Sequence, residues 1–269
     1  MRWNVRRVAA MGTVLAAAAA LPRAAPARVE KELVVFAAAS LREAFTELAG
    51  TLEAQNPGVR VRFNFAGSQE LRTQLEQGAR ADVFASADRK HMDGAKAAGL
   101  VRTDRIFVTN VPVVIVPASN PAGLKAFADL PRAKKLVVGA PEVPIGAYTL
   151  QILDRAAAAL GPGFRQEVEA HVVSRELNVK QVVAKVSLAE ADAGFVYRTD
   201  ALGAGDRVTQ IAIPTDLNVV AVYPIAVVEK APAAQLAEQW VKLVTSAEGQ
   251  ALLSRFGFTP AAAAAAHRP

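Results

Sequence analysis

The amino-acid sequence predicts an α/β fold of two lobes that share one plan. Apolar, strand-like runs alternate with amphipathic helical patterns, beginning with residues 33–48. Pro112 interrupts the apolar run 106–116 and favours a strand that leaves one sheet and enters another. The ranges 68–81 and 178–191 each run thirteen steps from a helix start to an Ala-Asp pair that precedes a strand. Two lobes with equivalent strand ends predict a cleft between them.

The first strand and helix predict the first part of that cleft. Residues 33–36 are apolar, and Ser40 follows at the position expected for a helix N-cap. A helix start directs free N–H groups beyond the strand end, where they can bind an anion without a charged side chain. The simpler interpretation is that Ser40 only caps its helix.

A second strand and helix repeat the arrangement. In residues 59–65, Val and Phe alternate with Arg and Asn, as in a half-buried strand. Ser68 then opens a helix with apolar positions at Leu71 and Leu75, and Gly78 is suited to its C-terminus.

The remaining elements follow the same alternation. We expect strands at 83–85, 136–139, 208–213 and 219–228, and helices at 88–98, 147–160, 231–244 and 246–256. We expect a return crossover at Tyr223-Pro224. The predicted domains are a signal peptide (1–27), a discontinuous lobe I (28–110 plus 224–260), an inserted lobe II (111–223) and a flexible tail (261–269).

The N-terminal segment predicts export. Three early arginines precede an apolar run, 8–21, which is too short to span a membrane and is followed by Pro22 and Ala25-Pro26-Ala27. Removing residues 1–27 lowers the formal net charge from +6 to +2, so the basic charge does not indicate nucleic-acid binding. A general secretory route fits better than a twin-arginine route, since the residues around Arg6-Arg7 match the latter poorly. With no cysteine for lipid anchoring, we expect a free periplasmic monomer.

The sequence lacks the motifs typical of metal binding, of serine hydrolases and of nucleotide binding. His91, His171 and His267 have no metal-ligand spacing, and we expect His91 on a helix surface. Ser68 lacks the flanking glycines of a nucleophile elbow, and no phosphate-binding or dinucleotide-binding glycine loop occurs. We interpret the acidic residues near 82–88 and 192–200 as strand-end and cap residues. The sequence therefore predicts a binding protein and not an enzyme.

The remaining candidates for a binding site are uncharged hydrogen-bond donors at the predicted helix starts. The segments that contain them resemble those of one protein family. The chain resembles the periplasmic molybdate-binding proteins of ABC transporters over nearly its whole mature length. The matching segments are VFAAASL (35–41), the Gly67-Ser68 helix start, ADVFASAD (81–88), PEVPIGAY (141–148), NVKQVVAKV (178–186), ADAGFVYRTDA (191–201) and YPIAVV (223–228).

The resemblance implies a type II solute-binding fold, in which helices flank a mixed sheet in each lobe and the ligand lies between the lobes. It implies that Ser40 and Ser68 each give a hydroxyl and a backbone N–H to the oxyanion. It also implies backbone N–H groups from Ile145 and Val179 and the phenol of Tyr197. Molybdenum would be bound as the oxyanion, with no protein ligand to a bare metal ion and no cofactor.

The expected function is therefore binding of molybdate, and of tungstate, for delivery to an ABC transporter permease. Seven donors with no carboxylate acceptor suit an anion that carries no proton, which disfavours phosphate at neutral pH. Two alternatives stay open. One is a binding protein for another oxyanion such as sulfate, or for an organic anion, and the other is an extracytoplasmic hydrolase, which would need a base near Ser40 or Ser68.

Overall fold

The computed structural model describes Met1 and residues 31–261. Except for Met1, the predicted signal peptide lies outside the described residues, as does all but the first residue of the predicted tail. Within the described part of the chain, no helix combines the length and the apolar character needed to cross a membrane.

The first sheet has six strands in the described residues, with the order β11-β4-β10-β3-β1-β2. Strands β1, β2 and β3 run parallel, and β10 pairs antiparallel with both β3 and β4. The strands are β1 Lys31–Ala38, β2 Val59–Ala66, β3 Val83–Ala85, β4 Val101–Asn110, β10 Ala221–Val228 and β11 Thr259–Pro260. We call this sheet with its helices lobe I.

Five described strands form the second sheet, with the order β7-β6-β8-β5-β9. Strands β6, β7 and β8 run parallel, and β5 pairs antiparallel with β8 and β9. The strands are β5 Pro112–Pro117, β6 Leu136–Gly139, β7 Val172–Glu176, β8 Ala193–Tyr197 and β9 Val208–Ile211. We call this sheet with its helices lobe II.

Helices join and flank the strands. In chain order they are α1 Arg42–Gln55, α2 Ser68–Glu76, α3 Arg89–Ala97, α4 Pro144–Leu160, α5 Gly163–Ala170, α6 Val179–Ser187, α7 Arg198–Ala204, α8 Ala234–Thr245 and α9 Ala247–Arg255. Helices α8 and α9 pack against α1 of lobe I, as their sequence position suggested.

The two sheets repeat one topology. In lobe I the order β2-β1-β3-β10 places three parallel strands beside an antiparallel one, and in lobe II β7-β6-β8-β5 does the same. Helices α2 and α6 follow equivalent strands, β2 and β7. The thirteen-step correspondence in the sequence therefore marks structurally equivalent segments, and their helix starts occupy equivalent strand ends.

The chain crosses between the sheets near Val111 and again before Ala221. Pro112 begins β5, so the strand break lies where the proline predicted it. The predicted return at Tyr223-Pro224 is wrong, because both residues lie inside β10 and pair with β4 of lobe I. A register shift between these two residues accommodates the proline within the strand. The exact limits of the lobes stay a prediction.

The buried core of lobe I continues through the cleft into lobe II. Phe45 of α1 packs edge-on against Trp240 of α8, with ring centroids 5.2 Å apart. The same cluster of buried apolar residues includes Ile145 and Val179 at the helix starts of lobe II. The helix starts that face the cleft are thus held by packing on both sides.

Candidate functional site

The five residues predicted from the sequence line one cavity between the lobes. Its lining includes Ser40, Ser68, Ile145, Val179 and Tyr197, and the volume open to the centre of a water-sized sphere is about 10 Å³. Each of the five exposes 4% or less of its surface, so the lobes are closed over them. The structure thus brings the predicted residues together around one cavity.

Ser40 does not cap a helix, which corrects the prediction from the sequence. The chain leaves β1 through a 3-10 turn, Ala39–Leu41, and α1 begins only at Arg42. Ser40 therefore lies inside the turn, and its side chain makes no capping hydrogen bond. Instead, its Oγ lies 2.9 Å from the hydroxyl oxygen of Tyr223 on β10.

Ser68 is the first residue of α2, as predicted, and Gly67 is the N-cap. The first intrahelical bond of α2 runs from Leu71 N–H to the Gly67 carbonyl, so the N–H of Ser68 has no acceptor within its helix. The Ser68 Oγ accepts a hydrogen bond of 3.0 Å from the N–H of Ala87. Because an N–H can only donate, this bond leaves the hydroxyl proton of Ser68 free to donate into the cavity.

Ile145 lies in the first turn of α4, which begins at Pro144, three residues earlier than predicted. The first intrahelical bond of α4 comes from Ala147, so the Ile145 N–H has no acceptor within the helix. The start of α4 approaches β6 closely at Gly146, where an added Cβ would collide with the carbonyl of Ala140. Glycine at this position therefore lets the helix start reach the strand end.

Val179 begins α6, and the preceding residue determines which of its amides are free. The side chain of Asn178 accepts hydrogen bonds from the N–H groups of Lys180 (3.0 Å) and Gln181 (3.2 Å). This N-cap occupies the second and third amides of the helix and leaves the Val179 N–H as its leading donor. Asn178 thus shapes the site, although its sequence context predicts only the start of a helix.

Tyr197 ends β8, and its hydroxyl is buried without a hydrogen-bond partner among the described residues. Burial raises the pKa of Tyr197 well above its ordinary value, and the neighbouring tyrosines and carboxylates raise it further. The phenol therefore stays protonated and acts as a neutral donor. A buried polar atom without a partner is costly, so this hydroxyl needs a ligand or a water in the cavity.

The described lining of the cavity contains no charged side chain. Besides the five residues named above, it consists of Ala38, Ala39, Ala66, Gly67, Ala87, Val143, Pro144 and Asn178. Helices α2, α4 and α6 all direct their N-termini towards it, and their dipoles provide a positive field. Among the described residues, no cluster of His, Asp and Glu could hold a bare metal ion. The cavity is suited to an anion, and its described lining contains no carboxylate that could accept an anion's proton.

His91 is buried beside the site, which contradicts its predicted position on a helix surface. It exposes 2% of its surface, and its Nδ1 lies 2.8 Å from Oδ1 of Asp88. Asp88 is the N-cap of α3 and also accepts the His91 N–H. The helix pattern suggested a polar surface position because it could not show that the buried Asp88 would pair with the imidazole.

Polar contacts also hold the closed lobes together, among them those of Gln69, Tyr148 and Lys180. The Gln69 carboxamide of lobe I donates to the Leu177 carbonyl of lobe II at 2.8 Å. The Tyr148 hydroxyl of lobe II donates to the Ala87 carbonyl of lobe I at 3.4 Å. Lys180 of lobe II forms an ion pair with Glu43 of lobe I.

The Lys180 ammonium lies 2.8 Å from Glu43 and 3.0 Å from the buried Asp200 on α7. Burial lowers the pKa of Lys180, but the two carboxylates outweigh this effect and hold it above its ordinary value. Burial raises the pKa of Asp200, and Lys180 opposes that rise. Lys180 thus joins a buried charge within lobe II to an exposed one across the cleft.

Comparison with known proteins identifies the family of this chain. Residues 33–259 match the family of bacterial extracellular solute-binding proteins. The molybdate-binding protein ModA of Mycobacterium tuberculosis strain H37Rv is 45% identical over 237 residues, which cover 87% of each chain. This chain belongs to the molybdate-binding family of bacterial extracellular solute-binding proteins. Its homologues are solute-binding proteins and not enzymes, and the family places it outside the cytoplasm.

Solved structures confirm the predicted fold. The periplasmic molybdate-binding protein of Azotobacter vinelandii matches with a TM-score of 0.71 and 19% identity, over 84% of this chain and 98% of that one. The sulfate-binding protein SubI of Mycobacterium tuberculosis matches with a TM-score of 0.78 and 19% identity, over 88% and 89%. At such low identity the likeness shows the type II fold alone, and the fold does not select the anion.

Proposed function

We propose that this chain binds molybdate in the periplasm and delivers it to the permease of an ABC transporter. The observation that carries the proposal is a cavity of neutral donors from both lobes, lined by Ser40, Ser68, Ile145, Val179 and Tyr197. The 45% identical relative named for molybdate binding supports this choice of anion. Tungstate, which has the same charge and shape, is the second expected ligand.

The donors fit a tetrahedral dianion. Ser40 and Ser68 each provide a hydroxyl and an N–H, Ile145 and Val179 each provide an N–H, and Tyr197 provides a phenol. Hydrogen bonds to a charged partner contribute about 1.5–3 kcal/mol each, so seven contacts leave room for submicromolar affinity after the costs of association and closure. The anion would also give the buried Tyr197 hydroxyl its missing partner.

Binding proceeds by closure of the two lobes. Lobe I contributes two of the five residues and lobe II contributes three, so the anion favours the state in which the lobes meet. All five are buried in the closed arrangement, so the lobes must separate for the ion to enter or leave. We expect the permease to recognise the closed form. We also expect the protein to act as a monomer, exported by the signal peptide of residues 1–27, which is then cleaved.

The surroundings of the serines disfavour a hydrolase. The Ser68 Oγ accepts from the Ala87 amide, and the Ser40 Oγ is bonded to Tyr223. Among the described residues, the buried His91 is bonded to Asp88, so the imidazole nitrogen that faces this carboxylate is not available to either serine. Binding requires only donors, and donors are what the cavity provides.

Isothermal titration of the purified protein with four oxyanions tests the proposal. We expect tight binding of molybdate and tungstate, weaker binding of the smaller sulfate, and no binding of phosphate at pH 7. The double variant Ser40→Ala, Ser68→Ala should abolish molybdate binding while the melting temperature without ligand stays near that of the wild type. Heat with phosphate or sulfate but none with molybdate would overturn the proposal.

A further inference from the structure

The hydrogen bond between the hydroxyl groups of Ser40 and Tyr223 could have either residue as its donor. The two hydroxyl oxygens lie 2.9 Å apart. If Ser40 donated to Tyr223, its proton would point away from the cavity. If Tyr223 donated to Ser40, the proton of Ser40 would be free for a ligand.

Asn110 settles the direction, and its own orientation is fixed by the backbone. The N–H of Val111 donates to Oδ1 of Asn110 at 2.9 Å, and an N–H can pair only with the oxygen end of a carboxamide. The amide nitrogen, Nδ2, therefore faces the other way. It donates to Thr199 Oγ1 at 2.9 Å and approaches the Tyr223 hydroxyl at 3.5 Å.

Tyr223 therefore meets a donor on one side and a hydroxyl on the other. The Asn110 nitrogen cannot accept, so Ser40 is the one acceptor near the phenol in the described structure. If Ser40 donated instead, the phenol would be left fully buried with its proton unbonded, which is costly. Burial raises the pKa of Tyr223 well above its ordinary value, although the bond to Ser40 opposes this, so the phenol keeps its proton.

We propose that Tyr223, oriented by Asn110, is a positioning residue that directs the hydroxyl proton of Ser40 into the cavity. This inference rests on the proposed function, because it concerns how Ser40 meets the oxyanion. The chain of donors runs from Asn110 to Tyr223, from Tyr223 to Ser40, and from Ser40 to the ligand. Each donor polarises the next, which strengthens the last bond.

Lobe I thus prepares both serines in the same way. The Ala87 amide occupies the oxygen of Ser68, and the Tyr223 phenol occupies the oxygen of Ser40. With the acceptor side of each hydroxyl taken by the protein, the proton is left for the anion. This arrangement also disfavours ligands that need an acceptor, such as a protonated phosphate.

A double-mutant cycle tests the inference. Tyr223→Phe keeps the ring, which packs edge-on against Phe107 and Phe258, and removes only the hydroxyl. We expect it to weaken molybdate binding about tenfold, the loss of one oriented hydrogen bond to a charged group. In the Ser40→Ala background, the same substitution should change Kd by less than about twofold, because no hydroxyl remains to orient.

Thr199→Val is the matched control. It removes the other hydrogen bond of the Asn110 amide and leaves the path to Ser40 intact. We expect it to lower the melting temperature while Kd stays within about twofold of the wild type. This is the result expected of a residue that only supports the fold, whereas Tyr223→Phe should change Kd.

The outcomes separate the inference from the proposed function. If the wild type binds molybdate and Tyr223→Phe binds it equally well, or loses as much with Ser40→Ala as without, the positioning role is refuted. If the wild type binds a different tetrahedral oxyanion, the proposed function fails, and the same cycle measured with that anion still decides the role of Tyr223. If none of the four oxyanions binds, both are refuted.

Discussion

Gly67 offers a test of closure, because it lies where the two lobes touch. Its backbone is extended, with φ −65° and ψ 144°, a conformation that alanine adopts without strain. An added Cβ would nevertheless lie less than 3.0 Å from the Leu177 carbonyl of lobe II, whereas ordinary contact begins at 3.4 Å. The Gln69 side chain, which it would also meet, can rotate away. The Leu177 carbonyl is backbone, so the lobes must move apart.

Gly67→Ala should therefore weaken binding without unfolding either lobe. The separation breaks the bond from Gln69 to Leu177, worth about 1 kcal/mol, and moves Val179 away from the lobe I donors. With one charge-assisted contact of about 1.5–3 kcal/mol weakened as well, the loss is about 2–4 kcal/mol, or roughly thirty- to a thousandfold in Kd for molybdate.

Titration calorimetry and thermal melting together check this prediction. Gly50→Ala on α1 is the matched control, since an added Cβ there meets nothing within 4 Å. It should leave Kd unchanged and raise the stability of the protein by about 0.5–1 kcal/mol. Wild-type affinity in Gly67→Ala would refute the claim that the closed contact at Leu177 supports binding.

Three further predictions concern single side chains. Tyr197→Phe should weaken molybdate binding about tenfold. The melting temperature without ligand should stay equal or rise, because the substitution removes a buried hydroxyl that has no partner among the described residues. A large loss of stability would argue against this. Lys180→Met should lower the free energy of unfolding by about 3–5 kcal/mol, measured by chemical denaturation, because it leaves the buried Asp200 carboxylate without its partner. Glu43→Gln removes the exposed partner of Lys180 and should lower the free energy of unfolding by about 1 kcal/mol or less. Equal effects of the two substitutions would contradict this difference. Burial raises the pKa of Asp104, but Lys96 and Arg89 outweigh this effect and lower the pKa overall. The Asp104 carboxylate therefore stabilises the fold above its ordinary pKa, and this contribution is lost as the pH falls through the lowered value. In acid titration, Asp104→Asn should lose stability less steeply than the wild type below about pH 4, and an unchanged profile would count against this role of Asp104.

Much of the fold follows from local patterns in the sequence. Strands 83–85 and 136–139 have the predicted limits, and α2 begins at Ser68 as expected. These elements combine a clear apolar pattern with turn residues at their ends. The position of Pro112 also located the crossover, because proline removes a donor that a central strand would need.

The errors arose where distant residues decide local structure. Ser40 carries the pattern of an N-cap, but the exit from β1 is a 3-10 turn and the hydroxyl finds Tyr223, 183 residues further along the chain. His91 lies in a polar stretch, yet Asp88 satisfies it in the interior. Pro224 suggested a crossover, although a register shift accommodates it inside β10.

The candidate site was predicted through resemblance more than through pattern. The five lining residues came from matched segments, and their meeting in one cavity depends on the shared topology of the lobes. Tyr223 and Asn178 were missed as contributors because each acts through another residue. A tyrosine inside an apolar strand was the available signal for Tyr223, since a buried phenol usually needs a hydrogen-bond partner.

The decisive experiment for the proposed site is a crystal structure of the protein with molybdate, in which the anomalous signal of molybdenum locates the ion. We expect one peak between the lobes, with the oxygens of the anion in hydrogen-bonding contact with Ser40, Ser68, Ile145, Val179 and Tyr197 and with no charged side chain in direct contact. A peak elsewhere, or one held by Lys or Arg side chains, would contradict it.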